Sequence, residues 1–257
     1  MTWLIITYSI LIGLIIGSFL NVVIYRLPIM LNLAYPPSHC PKCQTKIKPW
    51  HNIPIISYLI LRGKCAKCKQ PISIRYPLVE ALTAFLTLII INHLGLNIIG
   101  LTATLLTYSL IAMSVIDIDY QILPDELTLS MLWIGLLLNS FNVFTTPQAA
   151  ILGAIIGYSF LFIIAKTFKL IRGIDGMGNG DFKLLAMFGA WLGWQQLPFI
   201  ILASSIIGII ISLILIIFRK HKVSEPIPFG PYIAIAGFIA MLWGKPILIY
   251  YLRFIGI

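Results

Sequence analysis

Apolar runs recur along the chain at 3–25, 77–93, 98–116, 127–143, 148–168, 182–197, 198–218 and 229–250. At about 20 residues per crossing of a bilayer core, these predict about eight transmembrane helices with short connections. The sixth run is short and meets the seventh at Pro198, so a tilted or partly re-entrant helix is expected there. One long polar stretch, 26–76, interrupts the pattern. The expected organisation is a first transmembrane helix over 1–25, a cysteine-rich segment over 26–76 and a seven-helix membrane domain over 77–257. The fold class is all-α, polytopic and membrane-embedded.

Composition agrees with that pattern. Of 257 residues, 60% are hydrophobic and 10% charged, against roughly 25% charged in a soluble domain. So few polar residues could not cover a water-soluble globule. The net charge of +10 alone would suit a nucleic-acid binder, but its placement argues otherwise. Nine of the 18 basic residues lie between Arg26 and Arg75, a stretch without an acid, which puts that segment in the cytoplasm by the positive-inside rule. Membrane lipid is therefore the expected partner, with no nucleic acid. No Lys or Arg precedes the first apolar run and Arg26 follows it. A retained first span with an external N-terminus is expected, rather than a cleaved signal. Lys169, Arg172, Arg219, Lys220 and Lys222 then fall on cytoplasmic connections, while Lys245 and Arg253 fall near the other side and reach an interface by snorkelling. Gly13 with Gly17, and Gly153 with Gly157, stand four residues apart and predict close helix contacts. No low-complexity tract or internal repeat stands out.

All four cysteines lie in the polar stretch, as Cys40-Pro-Lys-Cys43 and Cys65-Ala-Lys-Cys68. Two short-spaced pairs separated by 21 residues suit two knuckles converging on one tetrahedral zinc. The alternatives are an iron–sulfur centre, two disulfides or free thiols; a cytoplasmic location disfavours disulfides. Four thiolates leave no open coordination position, so the metal is expected to be structural. His39 adjoins the first pair as a competing or outer ligand.

Only eight acids exist, so their positions carry information. Asp117, Asp119, Asp125 and Glu126 cluster around the third and fourth runs, and Asp175 and Asp181 precede the sixth. Two close carboxylates sharing a proton can hydrolyse an amide with water, one as base and one as acid. Gly178 and Gly180 permit close backbone approach or positive φ beside Asp181. A helix-cap role for Asp181 stays open beside a chemical one, and Asp125 after Pro124 reads as a cap. Asp119 is a candidate assistant to Asp117, Asp175 a partner for Arg172 or substrate, and Glu80 a partner for Arg26 or a basic substrate segment. A nucleotide loop is not supported, since the glycine run lacks the Walker pattern and a flanking strand.

Taken in order, the motifs Gly17-Ser-Phe-Leu-Asn21-Val-Val-Ile-Tyr-Arg26-Leu-Pro28, the cysteine pairs, Arg75-Tyr-Pro-Leu-Val-Glu80, Asp117 through Pro124, Gly178-Asn-Gly-Asp181 and Pro228-Phe-Gly-Pro231 closely resemble those of the bacterial type IV prepilin peptidases. These are bifunctional membrane enzymes of the aspartic peptidase class. The resemblance implies Asp117 and Asp181 as the catalytic pair; Asp119, Gly178, Gly180, Glu80 and Asp175, read from their own positions, are candidates for supporting or substrate-positioning roles. It implies cleavage of a short basic leader from prepilins or pseudopilins at the cytoplasmic face of the inner membrane. N-methylation of the new terminal residue, usually Phe, follows, with S-adenosylmethionine as donor. The methyl-donor site has no recognisable dinucleotide-fold signature. By similarity the Gly17 to Pro28 region, the cysteine segment and Glu80 would support methyl transfer. Two other classes compete: a transporter or channel, and a non-catalytic assembly component.

Overall fold

The computed structural model describes residues 3–174, 176–218 and 227–254. It is all-helical, with nine α-helices among these residues: α1 (Trp3–Arg26), α2 (Ile56–Ile60), α3 (Arg75–Leu94), α4 (Ile98–Tyr120), α5 (Asp125–Ser140), α6 (Pro147–Arg172), α7 (Asn179–Leu192), α8 (Leu197–Ile217) and α9 (Gly230–Phe254). The chain divides into two compact units, 1–112 and 113–257, with the division falling inside α4.

Six described helices are long and apolar enough to cross a membrane: α1, α3, α4, α6, α8 and α9. The other two expected crossings correspond to α5, with 16 residues, and α7, with 14. At 1.5 Å per residue these reach about 24 and about 21 Å, short of a hydrocarbon core of about 30 Å. Hydropathy cannot separate a helix that faces lipid from one that is apolar because protein surrounds it. α7 is of the second kind: Phe182 and Leu184 through Trp191 are all buried, with α5, α6 and α9 packed around them.

In the first unit α1 packs along α3. The spaced glycines make this possible, since a Cβ on Gly17 would stand 2.7 Å from the Glu80 Cα. In the second unit Gly153 and Gly157 of α6 lie directly on the α7 backbone at Gly189 and Leu185. Both expected small-residue contacts are thus present, each bringing two backbones together without polar chemistry.

The short α7 has carbonyls at its C-terminal end that no helical N–H can reach. Asn139 on α5 supplies the missing donors: its Nδ2 donates to Ala190 O at 2.7 Å and Trp191 O at 2.9 Å. Its Oδ1 accepts from Phe144 N at 2.9 Å and Thr145 N at 3.0 Å. Trp191, fully buried, donates its indole N–H to Met131 O at 2.7 Å. Asn139→Ala leaves these groups unpaired in a water-poor interior, at about 1–3 kcal/mol each. A markedly lower unfolding midpoint in detergent is expected, and an unchanged midpoint would deny Asn139 this role.

Candidate active site and metal centre

Asp117 sits in the last turn of α4 and Asp181 in the first turn of α7, and both are buried in the second unit. The charge of Asp117 acts directly on Asp181, so two carboxylates 64 positions apart in sequence share one environment. Leu123, on the connection after α4, spaces the surrounding backbone. A Cβ on Gly180 would lie 2.8 Å from the Leu123 Cβ, and one on Gly230 would lie 3.2 Å from its Cδ1. Close approach is therefore what Gly180 provides; neither Gly178 nor Gly180 has positive φ.

Each carboxylate receives a backbone donor. Gly230, at the start of α9, gives its N–H to Asp117 Oδ2 at 3.0 Å. The Gly178 N–H serves Asp181; α7 begins at Asn179 after Gly178, so Asp181 does reach back to its own helix start. The sequence singles out Asp181 and contains the Pro228-Phe-Gly-Pro231 motif, but nothing in it points to the Gly230 N–H as a donor. A main-chain donor 113 positions away in sequence carries no side-chain signature.

The remaining acids separate. Asp119 is exposed. Asp125 forms no side-chain cap on α5; it pairs with Lys183 at 2.6 Å, which corrects the cap expectation and ties the start of α5 to α7. Asp175 lies outside the described residues, as do Arg219, Lys220 and Lys222. Glu80, buried on α3 in the first unit, accepts from Ile55 N at 2.7 Å and from the Ser18 side chain. Its expected partner Arg26 is engaged elsewhere, donating to Asn32 O, Leu33 O and Pro36 O at 2.8, 3.3 and 2.5 Å. The end of α1 is thereby fastened to the following loop, because a buried guanidinium needs acceptors for its N–H groups.

The cysteine segment forms two turns of one design. Gln44 N donates to Cys40 O at 2.9 Å, and Lys69 N to Cys65 O at 3.1 Å. Gln44 and Lys69 both have positive φ, 57° and 60°, and isolated bridges join His39 to Lys46 and Lys64 to Pro71. The shared Cys-x-Lys-Cys spelling thus extends to a shared backbone geometry. All four Sγ atoms lie within 4.8 Å of one another, and Cys40 and Cys68 Sγ are 3.8 Å apart. That separation is too long for a Cys40–Cys68 disulfide and equals the roughly 3.8 Å edge of a tetrahedron of thiolates bound at about 2.3 Å. Hydrogen bonding with the Thr45 side chain, then its backbone, draws the Cys43 thiol down to about 6. The donor set fits a structural metal, and His39, whose Nδ1 faces Pro37 O at 3.2 Å, is outside it.

An all-helical membrane scaffold with a buried pair of aspartates and a four-thiolate cluster defines a narrow class of multi-pass protein. Residues 11–94 match the model of the bacterial peptidase A24 N-terminal domain, and residues 104–213 that of the type IV leader peptidase family. The chain is 48% identical over 271 residues to a prepilin leader peptidase/N-methyltransferase of Pseudomonas aeruginosa, with 96% of this chain and 93% of that protein covered. Proteins of the same description from Stutzerimonas stutzeri and Aeromonas hydrophila are 47% and 48% identical, with 96% and 97% of this chain and 93% and 94% of theirs covered. No solved structure matches the chain. The chain belongs to the type IV leader peptidase family.

Proposed function

We propose that the chain is a bifunctional enzyme of the bacterial inner membrane: an aspartic endopeptidase that removes the short basic leader of type IV prepilins or pseudopilins, and an N-methyltransferase that acts on the new N-terminus. The buried Asp117 and Asp181 pair carries the reading, and the relatives' shared description supports both activities. The positive-inside rule turns the aspartates and the cysteine segment toward the cytoplasm. α5 and α7 complete eight crossings as short helices held within protein, and 1–25, 26–76 and 77–257 serve as first span, cysteine segment and dyad-bearing membrane domain.

In cleavage, one carboxylate takes a proton from water as the water oxygen attacks the scissile carbonyl. The other protonates the departing amine as the C–N bond breaks, so no acyl-enzyme forms. The Gly230 N–H fixes one Asp117 oxygen and leaves the other for water. The apolar helix of the substrate stays in lipid while its leader meets the interface, so little polar backbone is desolvated. Asp119 is a candidate for holding water at the interface, and Asp175, by its charge, a candidate partner for the basic leader. The chemistry that S-adenosylmethionine would supply is an electrophilic methyl group: the freed amine would take it and lose a proton, and the sulfonium would leave as the neutral thioether. Cys40, Cys43, Cys65 and Cys68, whose sulfurs lie within 4.8 Å of one another, would hold zinc as a structural ion.

Mass spectrometry of a prepilin incubated with purified protein and labelled S-adenosylmethionine tests both halves. Leader loss followed by the added methyl mass is expected. Intact substrate would reject the enzyme, and solute flux in liposomes would then favour a transporter. Gly230→Ala probes the site more finely, because the new Cβ would fall 2.7 Å from Asp117 Oδ2. Displacing a reacting carboxylate by a fraction of an ångström is expected to slow cleavage by about 10²-fold. Cleavage at the parent rate would remove Gly230 from the mechanism.

A further inference from the structure

Residues 50–60 of the first unit fold with polar groups inside and apolar groups outside. Ser57, buried, donates from Oγ to Trp50 O at 2.9 Å and accepts there from Ile53 N at 3.0 Å. The backbone closes on itself, as Ser57 N, Leu59 N and Leu61 N donate to Ile53 O, Ile55 O and Ser57 O at 3.0, 3.0 and 2.9 Å. Trp50, Ile53, Ile56, Leu59 and Ile60 meanwhile stand 44% to 74% exposed. A patch of this kind is inside-out for water and suited to lipid, where backbone polar groups must be paired within the protein. One bond fixes its depth. Ile55 gives its N–H to Glu80 Oε2 at 2.7 Å, and Glu80 lies on α3 five residues after its start at Arg75, about 7.5 Å along the axis. On α1, Gly17 is level with Glu80, its Cβ position 2.7 Å from the Glu80 Cα, and stands nine residues before the helix ends at Arg26. Both helices are long and apolar enough to cross a membrane. Ile55 therefore sits beside the first turns of α3 and inside the ends of both spans, not beyond them. It takes φ 59° to do so, a conformation that a β-branched residue rarely adopts.

We propose that residues 50–60 are a shallow membrane anchor, set into the leaflet where α1 ends and α3 begins, with anionic phospholipid as its preferred contact. The inference needs only that α1 and α3 span the membrane, and neither enzymatic activity. Its depth is that of interfacial segments, which sink an apolar face about 5–10 Å into the headgroup and acyl boundary. Charge complements the lipid: nine basic residues and no acid lie from Arg26 to Arg75. Lys48 Nζ stands 5.3 Å from the centroid of the Trp50 ring, and Arg62, exposed, follows α2 within two residues. Both side chains are long enough to meet phosphates while their apolar neighbours enter the acyl boundary. A Trp beside a cation is also the pairing found at membrane–water interfaces. A soluble partner protein could reach this depth only by entering the lipid itself. The anchor gives the cysteine segment a hold on the membrane surface in addition to the two spans that flank it.

The test uses full-length protein in nanodiscs of phosphatidylethanolamine and phosphatidylglycerol. Photoreactive benzoylphenylalanine replaces Leu59 or Ile60 and, as a positive control, Phe19, which is exposed on α1; metal content checks that the cysteine segment has folded. Mass spectrometry is expected to find lipid adducts at 59 and 60 in yields close to that at 19. A second measurement places no photoreactive group in the protein. The fluorescence of Trp50, taken as the difference between the parent and Trp50→Phe, should be quenched more by lipids brominated near the headgroup than by lipids brominated near the chain ends. Replacing phosphatidylglycerol with phosphatidylcholine should speed amide exchange across 50–61 several-fold, and Lys48→Gln with Arg62→Gln should remove that difference. Adducts at 19 without adducts at 59 and 60, or Trp50 fluorescence that no brominated lipid quenches, would show a face in water and overturn the anchor. Adducts at 59 and 60 to a second copy or to a prepilin would make the face a protein interface and overturn it equally. Equal exchange in the two lipids overturns the preference for anionic headgroups. Leader removal and methyl transfer are measured separately and stand whichever result is found.

Discussion

Asn in place of Asp117, or of Asp181, should abolish leader removal, with each single substitution costing at least about 10³-fold. The double variant should be little worse than either one, because two groups acting as a unit lose their whole effect when one is gone. Asn keeps the shape of Asp and can still accept from the Gly230 N–H that now meets Asp117 Oδ2 at 3.0 Å, so the fold is expected to survive. Loss of rate then reports chemistry. The same change at exposed Asp119 should cost less than either. Rates come from mass-spectrometric detection of the processed product in detergent, with unfolding midpoints as the control. Efficient cleavage by either pure single variant would reject the paired mechanism, and two independent, multiplying losses would show that the carboxylates do not work together.

The features legible in the sequence were those carried by residue type and spacing. The cysteine pairs announced a tetrahedral cluster, because a short-spaced Cys pair on a tight turn delivers two sulfurs to one point. Glycines four apart announced close contacts on α1 and α6, but not that α3 and α7 are the partners. Scarcity made the acids conspicuous. Features that depend on three-dimensional contact were hidden. The Asn139 carboxamide that closes α7 looks like an isolated polar residue in an apolar run. Gly230 acts through its backbone, and Asp125 turns from cap to ion pair only because Lys183 stands opposite. The sequence pattern did not set α5 and α7 apart from the six long apolar helices for a related reason, since hydropathy records that a residue avoids water without saying whether lipid or protein surrounds it.

Removing the metal from the cysteine segment should have the largest structural effect. Between α1 and α3 the chain offers little core of its own: Trp50, Ile53, Ile56, Leu59 and Ile60 are exposed, and of α2 only Ser57 is buried. Two turns closed by a few backbone hydrogen bonds cannot offset the entropy of ordering some 50 residues at about 1–2 kcal/mol each. A tetrathiolate zinc site contributes on the order of 10–16 kcal/mol to folding in small domains. Stripping the ion with a strong chelator, or replacing Cys40 and Cys68 with Ser, should therefore collapse hydrogen-exchange protection across 40–70. Protection of α6 and α7 in the other unit should persist, since their packing rests on Gly153, Gly157, Asn139 and Trp191. Elemental analysis should find one zinc per chain before treatment. Visible absorption from an iron–sulfur centre would change the identity of the metal and keep its structural role, whereas full protection after complete loss of metal would take that role away.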